Sequence, residues 1–333
     1  MKKYFTTYKY KRRNLRRSKN ALKKRKRRKH KISQTSYSLR VENKELRETI
    51  QIIAPDNFSL INNTEETLKY FIKAENELRK KNNVLFDISK ISTLTTDAIA
   101  VKLAKIKDKK FNSNGIIRGN APDDQNLQKL FLQSGFFDFV STFDKKPKSS
   151  SKLLIHRITD NRVEPDIAKK ACLIGLRHTF GNEEIFEPLY EVLIEIMQNT
   201  NNHAGEKRGV YDWWLHVYNH PDSSVTSYTF LDLGFGIFES LPVKSFKRDL
   251  LELFGFTSNV ELVPKLFAGE IKSRTARPER GKGIPQVFQC SKDPVFNKFV
   301  LISNDVYADL KTESYKKLKT QFDGTMFYWE INN

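Results

Sequence analysis

The sequence predicts a mixed α/β protein, with an α+β sandwich in its C-terminal half, on three observations. Strand-length apolar runs alternate with helical patterns from residue 35 to 143. The second half opens on helical periodicity and closes on aromatic and β-branched runs of strand type. Between them Asp144 to Lys152 is rich in Ser and Lys and interrupted by Pro147, which puts a linker at 144–152. At 333 residues and 38% apolar content, two cores are a better expectation than one.

The first element is a basic arm, residues 1–34. Met1 to Lys31 holds 17 Lys or Arg and no acid, so the formal charge of +20 belongs almost wholly to it, and the rest carries 42 basic against 39 acidic residues. Arg12, Arg13, Arg16, Arg17, Lys23, Lys24, Arg25, Lys26, Arg27 and Arg28 lie in a stretch with few apolar residues, and the run Lys23 to Lys29 has none to bury, which is the composition of a solvated polymer. Nucleic acid, or a nucleoprotein, is the natural partner, because each neutralised phosphate releases counterions. Tyr4, Phe5, Tyr8 and Tyr10 suit stacking on unpaired bases. The rivals are an anionic membrane surface and a localisation signal.

In residues 35–143 a small α/β unit is expected. Asn83 to Ile88 is a buried strand, Asp97 to Lys107 an amphipathic helix, and Gly115 to Arg118 a second strand. Pro122 opens a helix that runs to Gln133 and closes at Gly135. Residues 153–333 begin with helices and end on strands at Thr226 to Leu233, Lys298 to Ser303 and Thr325 to Ile331.

Several classes are excluded. Cys172 and Cys290 are too few for a disulfide framework or a four-ligand zinc site, which makes a reducing, cytoplasmic compartment the default. No window approaches 18 consecutive apolar residues, and the basic N-terminus lacks the apolar stretch of a secretory signal.

The chemistry gathers in the second half. Leu189, Val192, Leu193, Ile196 and Met197 recur at helical spacing, and Glu195, Asn199 and His203, four apart, share another face of the same helix. Asp232-Leu-Gly234-Phe-Gly236 follows a strand, where the glycines permit a tight turn; it is no dinucleotide fingerprint, since position 239 is Glu239. Arg280-Gly281-Lys282-Gly283 precedes a helix with Pro285 in its first turn, a geometry that favours an anion. It is not a Walker A loop, because position 276 is Ala276.

In that order, and with Gly324-Thr325 on a late strand, these motifs resemble the Bergerat-type ATP-binding fold of the GHKL, or histidine-kinase-like, ATPases over about Ile185 to Asn333. The His203-Ala204 pair makes the anti-sigma-factor type of serine kinase the nearest likeness. The resemblance implies ATP and Mg²⁺ as cofactors, with Asn199 holding the magnesium and Glu195 as the general base. It implies that Asp232 reads the adenine amino group beside Gly234 and Gly236, and that Gly281, Lys282 and Gly283 meet the phosphates with His203 and Thr325 nearby. Leu241 to Glu279 would be a lid, its end supplying Arg274, Arg277 and Arg280. Neither His156 nor His178 lies in the helical hairpin an autokinase needs.

Val84 to Ser89, Leu94 to Ala98 and Gly115 to Val140 resemble a STAS-like domain, the fold of anti-sigma-factor antagonists, and so imply a protein partner through that unit. The phosphoacceptor of that family falls near Thr95, Thr96 and Asp97. The expected function is a Mg-ATP-dependent conformational switch, a sensor or effector in a bacterial defence or stress system, associated with the nucleoid through the arm. A homodimer or larger assembly is compatible with it. The alternatives are a serine/threonine kinase and a nucleic-acid-binding protein with a degenerate ATPase fold.

Overall fold

The computed structural model describes residues 46–112, 114–140, 153–159, 163–203, 211–241, 258–271 and 283–333, together with Lys19, Asn20 and Lys23. It is a mixed α/β protein with a parallel and an antiparallel sheet.

The N-terminal half holds β1 (Thr49–Ile53), β2 (Asn57–Phe58), α1 (Thr64–Arg79), β3 (Asn83–Asp87), β4 (Thr93–Leu94), α2 (Thr96–Lys107), α3 (Lys109–Asn112), β5 (Ile117–Gly119) and α4 (Gln125–Gln133). Its main sheet has the order β1-β3-β5 with both pairings parallel, and β2 pairs with β4. The strand expected at Asn83 is β3, buried at four of its five residues. The helix expected from Pro122 begins three residues later, because Asp124 caps it by accepting from the N–H groups of Asn126 and Leu127 at 2.9 Å. Gly135, at φ +86°, ends it as expected.

The C-terminal half holds β6 (Leu153–Thr159), α5 (Pro165–Phe180), α6 (Glu187–His203), β7 (Tyr211–Asn219), β8 (Thr226–Asp232), α7 (Ile237–Ser240), α8 (Asn259–Phe267), α9 (Gly283–Ser291), β9 (Phe296–Asp309) and β10 (Ser314–Ile331). Their sheet, β6-β7-β8-β10-β9, is antiparallel throughout. The half opens on a strand rather than a helix: Leu153 to Thr159 pairs along its whole length with β7. The last two strands are longer than their apolar runs, since the hairpin continues into the half-solvated segment Ser314 to Gln321.

The two halves share a core. One cluster under α5, α6, α8 and α9 covers one face of the antiparallel sheet. A second joins Phe58, Phe71, Phe86 and Ile99 of the N-terminal half to Trp214, Leu231, Val300, Ile302 and Met326 on the opposite face. Hydrogen bonds cross with it, among them Thr96 Oγ1 with Ser227 Oγ at 3.1 Å and Tyr307 Oη to the Ile61 carbonyl at 3.2 Å. The layers are therefore parallel sheet, α1 and α2, antiparallel sheet, and outer helices.

This arrangement corrects the reading of α2 as amphipathic. Every residue from Thr96 to Ala104 is buried, Lys102 included, because the helix lies between two sheets and has no solvated face. The linker at 144–152 lies outside the described residues.

Candidate functional site

Alternation along the strands of the antiparallel sheet separates two rows of side chains. Trp214, Leu231, Met326 and Ile302 stand in register on one face and belong to the core shared with the N-terminal half. One residue along, Trp213, Asp232, Thr325 and Ser303 stand in register on the other face. Two polar groups and a carboxylate at adjacent sheet positions, buried under helices, are costly unless they are used.

Above that polar row passes α6. Leu189, Val192, Leu193, Ile196 and Met197 are buried, as the helical period requires, and this anchors the helix so that Asn199 and Thr200 reach the C-terminal end of β8. A cavity forms there, lined by Asn199, Thr200, Asp232, Gly236, Ile237, Ser240 and Thr325. Four of the sequence-derived residues, Asn199, Asp232, Gly236 and Thr325, thus meet from three segments far apart in the chain.

The Asp232 carboxylate is the electrostatic centre of the cavity. Its Oδ1 accepts from the Gly234 N–H at 2.8 Å and its Oδ2 from Thr200 Oγ1 at a long 3.4 Å. Burial pushes its pKa up to about 7, against those two bonds. A buried carboxylate with one good hydrogen bond retains acceptor capacity. Gly236 turns the chain at φ +78°, and a Cβ there would lie 2.5 Å from Asn304 Oδ1. At Gly324, φ +131°, a Cβ would lie 2.0 Å from the Asp232 carbonyl oxygen, so only glycine lets β10 pass so close to the end of β8. Phe235 stands exposed between the two glycines of the turn.

Glu195 lies one turn back along α6 and does not line the cavity. It is half-buried, its pKa raised by burial and then by the neighbouring Glu191. A Cβ at Gly283 would come within 2.9 Å of Glu195 Oε2, so the carboxylate abuts the first residue of α9. Below it Glu191 accepts from Gln286 Nε2 at 3.0 Å and from Cys290 Sγ at 3.3 Å, tying α9 to α6. The Cys290 thiol, pushed up to about 12 by burial and then by Glu191, is no nucleophile.

Other expectations fall outside the described residues: Arg280, Gly281 and Lys282, the side chain of His203, Arg274 and Arg277, and the basic arm apart from Lys19, Asn20 and Lys23, which are helical and exposed. Of the lid, Leu241 to Glu279, residues 258–271 are described and carry α8. Of the three positions near the expected phosphoacceptor, Thr95 is half-buried and the other two are enclosed. Thr96 and Asp97 are buried, Asp97 Oδ2 accepting from Leu60 N at 2.7 Å and Ile61 N at 3.3 Å, while Thr96 faces Ser227. Neither can be presented to a kinase in this fold.

Thr200, Ser240, Ser303 and Asn304 were not singled out in the sequence. Thr200 could have been found, since it follows Asn199 on a helix already marked. The other three carry no spacing signal.

Among the described residues no cluster of three or more His, Cys, Asp or Glu could hold a metal ion, and Asn199 offers an amide oxygen at the cavity, a ligand type that magnesium accepts. The cavity offers an under-satisfied buried carboxylate acceptor, an amide oxygen and a threonine hydroxyl at the sheet. No protein-family model and no curated protein matches the chain. No helix among the described residues is long and apolar enough to cross a membrane.

Proposed function

We propose that this chain binds Mg-ATP in the cavity between α6, β8 and β10 and uses it as a conformational switch. The observation that carries this is the convergence of Asn199, Asp232, Gly236 and Thr325 on one polar cavity, in the roles the Bergerat-type resemblance assigns them. Asp232 accepts the exocyclic amino group of adenine. Asn199 would hold the cation through its side-chain oxygen, and Thr325 would support the nucleotide from the sheet. Magnesium supplies neutralisation of phosphate charge. The stretch Arg280-Gly281-Lys282-Gly283, which leads into α9, would meet the phosphates, with His203 at the end of α6. The basic arm tethers the protein to nucleic acid.

The position of Glu195 favours one alternative, a fold that binds nucleotide without turning it over. Its carboxylate meets α9 and not the cavity, so orienting water would require α9 to withdraw. Phosphorylation of Thr96 or Asp97 in the chain's own N-terminal half is disfavoured by their burial.

Calorimetry and thermal unfolding with ATP, ADP and Mg²⁺ test this. A hundredfold excess of ATP over its Kd should stabilise the protein by about 2.7 kcal/mol, and Asn199→Ala should remove the magnesium-dependent part of that gain. If ATP leaves the melting temperature unchanged, the proposal fails. With binding established, Glu195→Ala separates the alternatives: abolished hydrolysis makes it the base, and absence of hydrolysis in the wild type makes the site a sensor.

A further inference from the structure

The turn from Leu233 to Glu239 forms one wall of the cavity, and it is held by a strand that no motif marks. The turn leaves β8, reverses at Gly236 and enters α7 with three backbone N–H groups that a four-residue helix cannot satisfy within itself. Their acceptors lie on β9. Ile237 N donates to Ser303 Oγ at 2.8 Å, and Phe238 N and Glu239 N donate to Asn304 Oδ1 at 3.0 and 3.3 Å. In return Asn304 Nδ2 donates to the Phe235 carbonyl at 2.8 Å, and Ser303 Oγ donates to the Gly324 carbonyl at 2.9 Å.

Both residues are buried, and Asn304 sits at φ +54°, a left-handed conformation that Asn tolerates better than most side chains. It sits there because β10 slips in register between Phe322, its pairing partner, and Thr325, the partner of Ser303. The missing Cβ of Gly236 leaves the space that the Asn304 amide fills. Strand β9 therefore clasps the turn from both sides: it caps the amides of α7 and pulls on the carbonyl just before the reversal.

We propose that Ser303 and Asn304 are positioning residues that fix the turn from Asp232 to Glu239, and that they thereby set the preference for adenine over guanine in the nucleotide site. This rests on the ATP reading of the cavity. The chemistry is direct: a carboxylate held at one place accepts adenine's amino group and repels the carbonyl oxygen that guanine carries in its stead. A turn free to shift relaxes both effects.

Asn304→Asp is the sharpest variant, because it keeps the size, the backbone conformation and the acceptor for Phe238 and Glu239. It loses the donor to the Phe235 carbonyl, sets oxygen against oxygen there and adds a carboxyl charge that Ser303→Ala does not, so the two variants together separate the clasp from the charge. Hydrogen exchange on the nucleotide-free full chain should show faster exchange at Ile237, Phe238 and Glu239 in Asn304→Asp, with α6 unchanged. ATP affinity should fall roughly tenfold and the ratio of ATP to GTP affinity should fall with it. Ser303→Ala, which removes the acceptor of the Ile237 N–H and the donor to the Gly324 carbonyl, should give a change of the same kind centred on Ile237 and serves if Asn304→Asp does not fold.

Unchanged exchange at the turn overturns the clasp whatever the ligand. Faster exchange with an unchanged ATP to GTP ratio overturns the selectivity role alone. Wild-type protein that binds no ATP in the same calorimeter overturns the nucleotide reading and the selectivity with it, and the exchange data then decide the clasp by themselves.

Discussion

Two aspartates end two strands with similar sequences, Asn83-Val-Leu-Phe-Asp87 and Tyr228-Thr-Phe-Leu-Asp232, and the fold treats them in opposite ways. Asp87 is saturated. Gln51 Nε2, Ser89 N, Ser89 Oγ and Asn120 Nδ2 all donate to it, at 2.5, 2.9, 2.7 and 2.6 Å, and these bonds hold its pKa well below the carboxylate range. Asp232 has one good bond and one weak one, and burial raises its pKa to about 7. A carboxylate whose lone pairs are filled by its own chain is a structural post; one left under-satisfied beside a cavity is equipped for a ligand. The difference comes from the neighbours that each strand end receives, not from the strands.

The contrast breaks most severely if the halves can be separated. A chain of residues 153–333 leaves Trp214, Leu231, Val300, Ile302 and Met326 uncovered. It is expected to lose fixed tertiary structure, read as lost near-ultraviolet dichroism and dye binding to exposed apolar surface. A soluble, sharply melting product would show that the second core is dispensable.

Next in size is Asp87→Ala. It strands the donors of Gln51, Ser89 and Asn120 and should cost about 2–4 kcal/mol in denaturant unfolding while leaving ATP affinity unchanged. The wild type should also lose this contribution as pH falls below about 4, because a lowered native pKa stabilises only above the unfolded value.

Asp232→Asn should do the reverse, lowering ATP affinity about tenfold or more, or roughly 1.4 kcal/mol, at little cost in stability. With its native pKa raised, Asp232 penalises the fold progressively as pH rises from about 4 to 7, so the variant should be relatively more stable at pH 8 than at pH 4. Equal effects of both aspartate substitutions on ATP binding would erase the comparison.

The smallest expected effect concerns Lys102. It is buried on α2 with its ammonium 5.3 to 5.9 Å from the rings of Phe86, Phe131 and Phe136, and burial lowers its pKa to about 7, with Asp87 opposing. A depressed base penalises the native state fully below pH 7, and the penalty fades as pH approaches 10.5. Lys102→Met should therefore raise the stability at pH 6 by about 1 kcal/mol, with the gain vanishing near pH 10. A loss at pH 6 would mean that the rings more than compensate the buried charge.

Much of the fold was legible in the residues. The apolar stripe of α6 identified itself by period, β3 and β8 by their β-branched and aromatic runs, and Gly135 by the helix it ends. The glycines at 236 and 324 were marked by motif, and the structure supplies the reason: each lies where a Cβ would strike another strand. Strand β6 was missed because Leu153 to Thr159 is short and abuts the polar stretch, so that only pairing with β7 defines it. Helix α2 was misread because an apolar excess tells how much of a helix is buried, not what lies on its second side.

By itself the sequence determined the separation of the basic arm from a near-neutral body, the mixed α/β class, and the order along the chain of Asn199, Asp232, Gly236 and Thr325, which the structure brings to one cavity. These follow from composition, period and chain order, which are local properties. Only the tertiary structure decided that the halves share one core, that Thr96 and Asp97 are sealed inside it, that Glu195 meets α9, and that Ser303 and Asn304 hold the turn. Each of these depends on which strands become neighbours, and strand adjacency is set by the burial of whole faces rather than by any short segment of the chain.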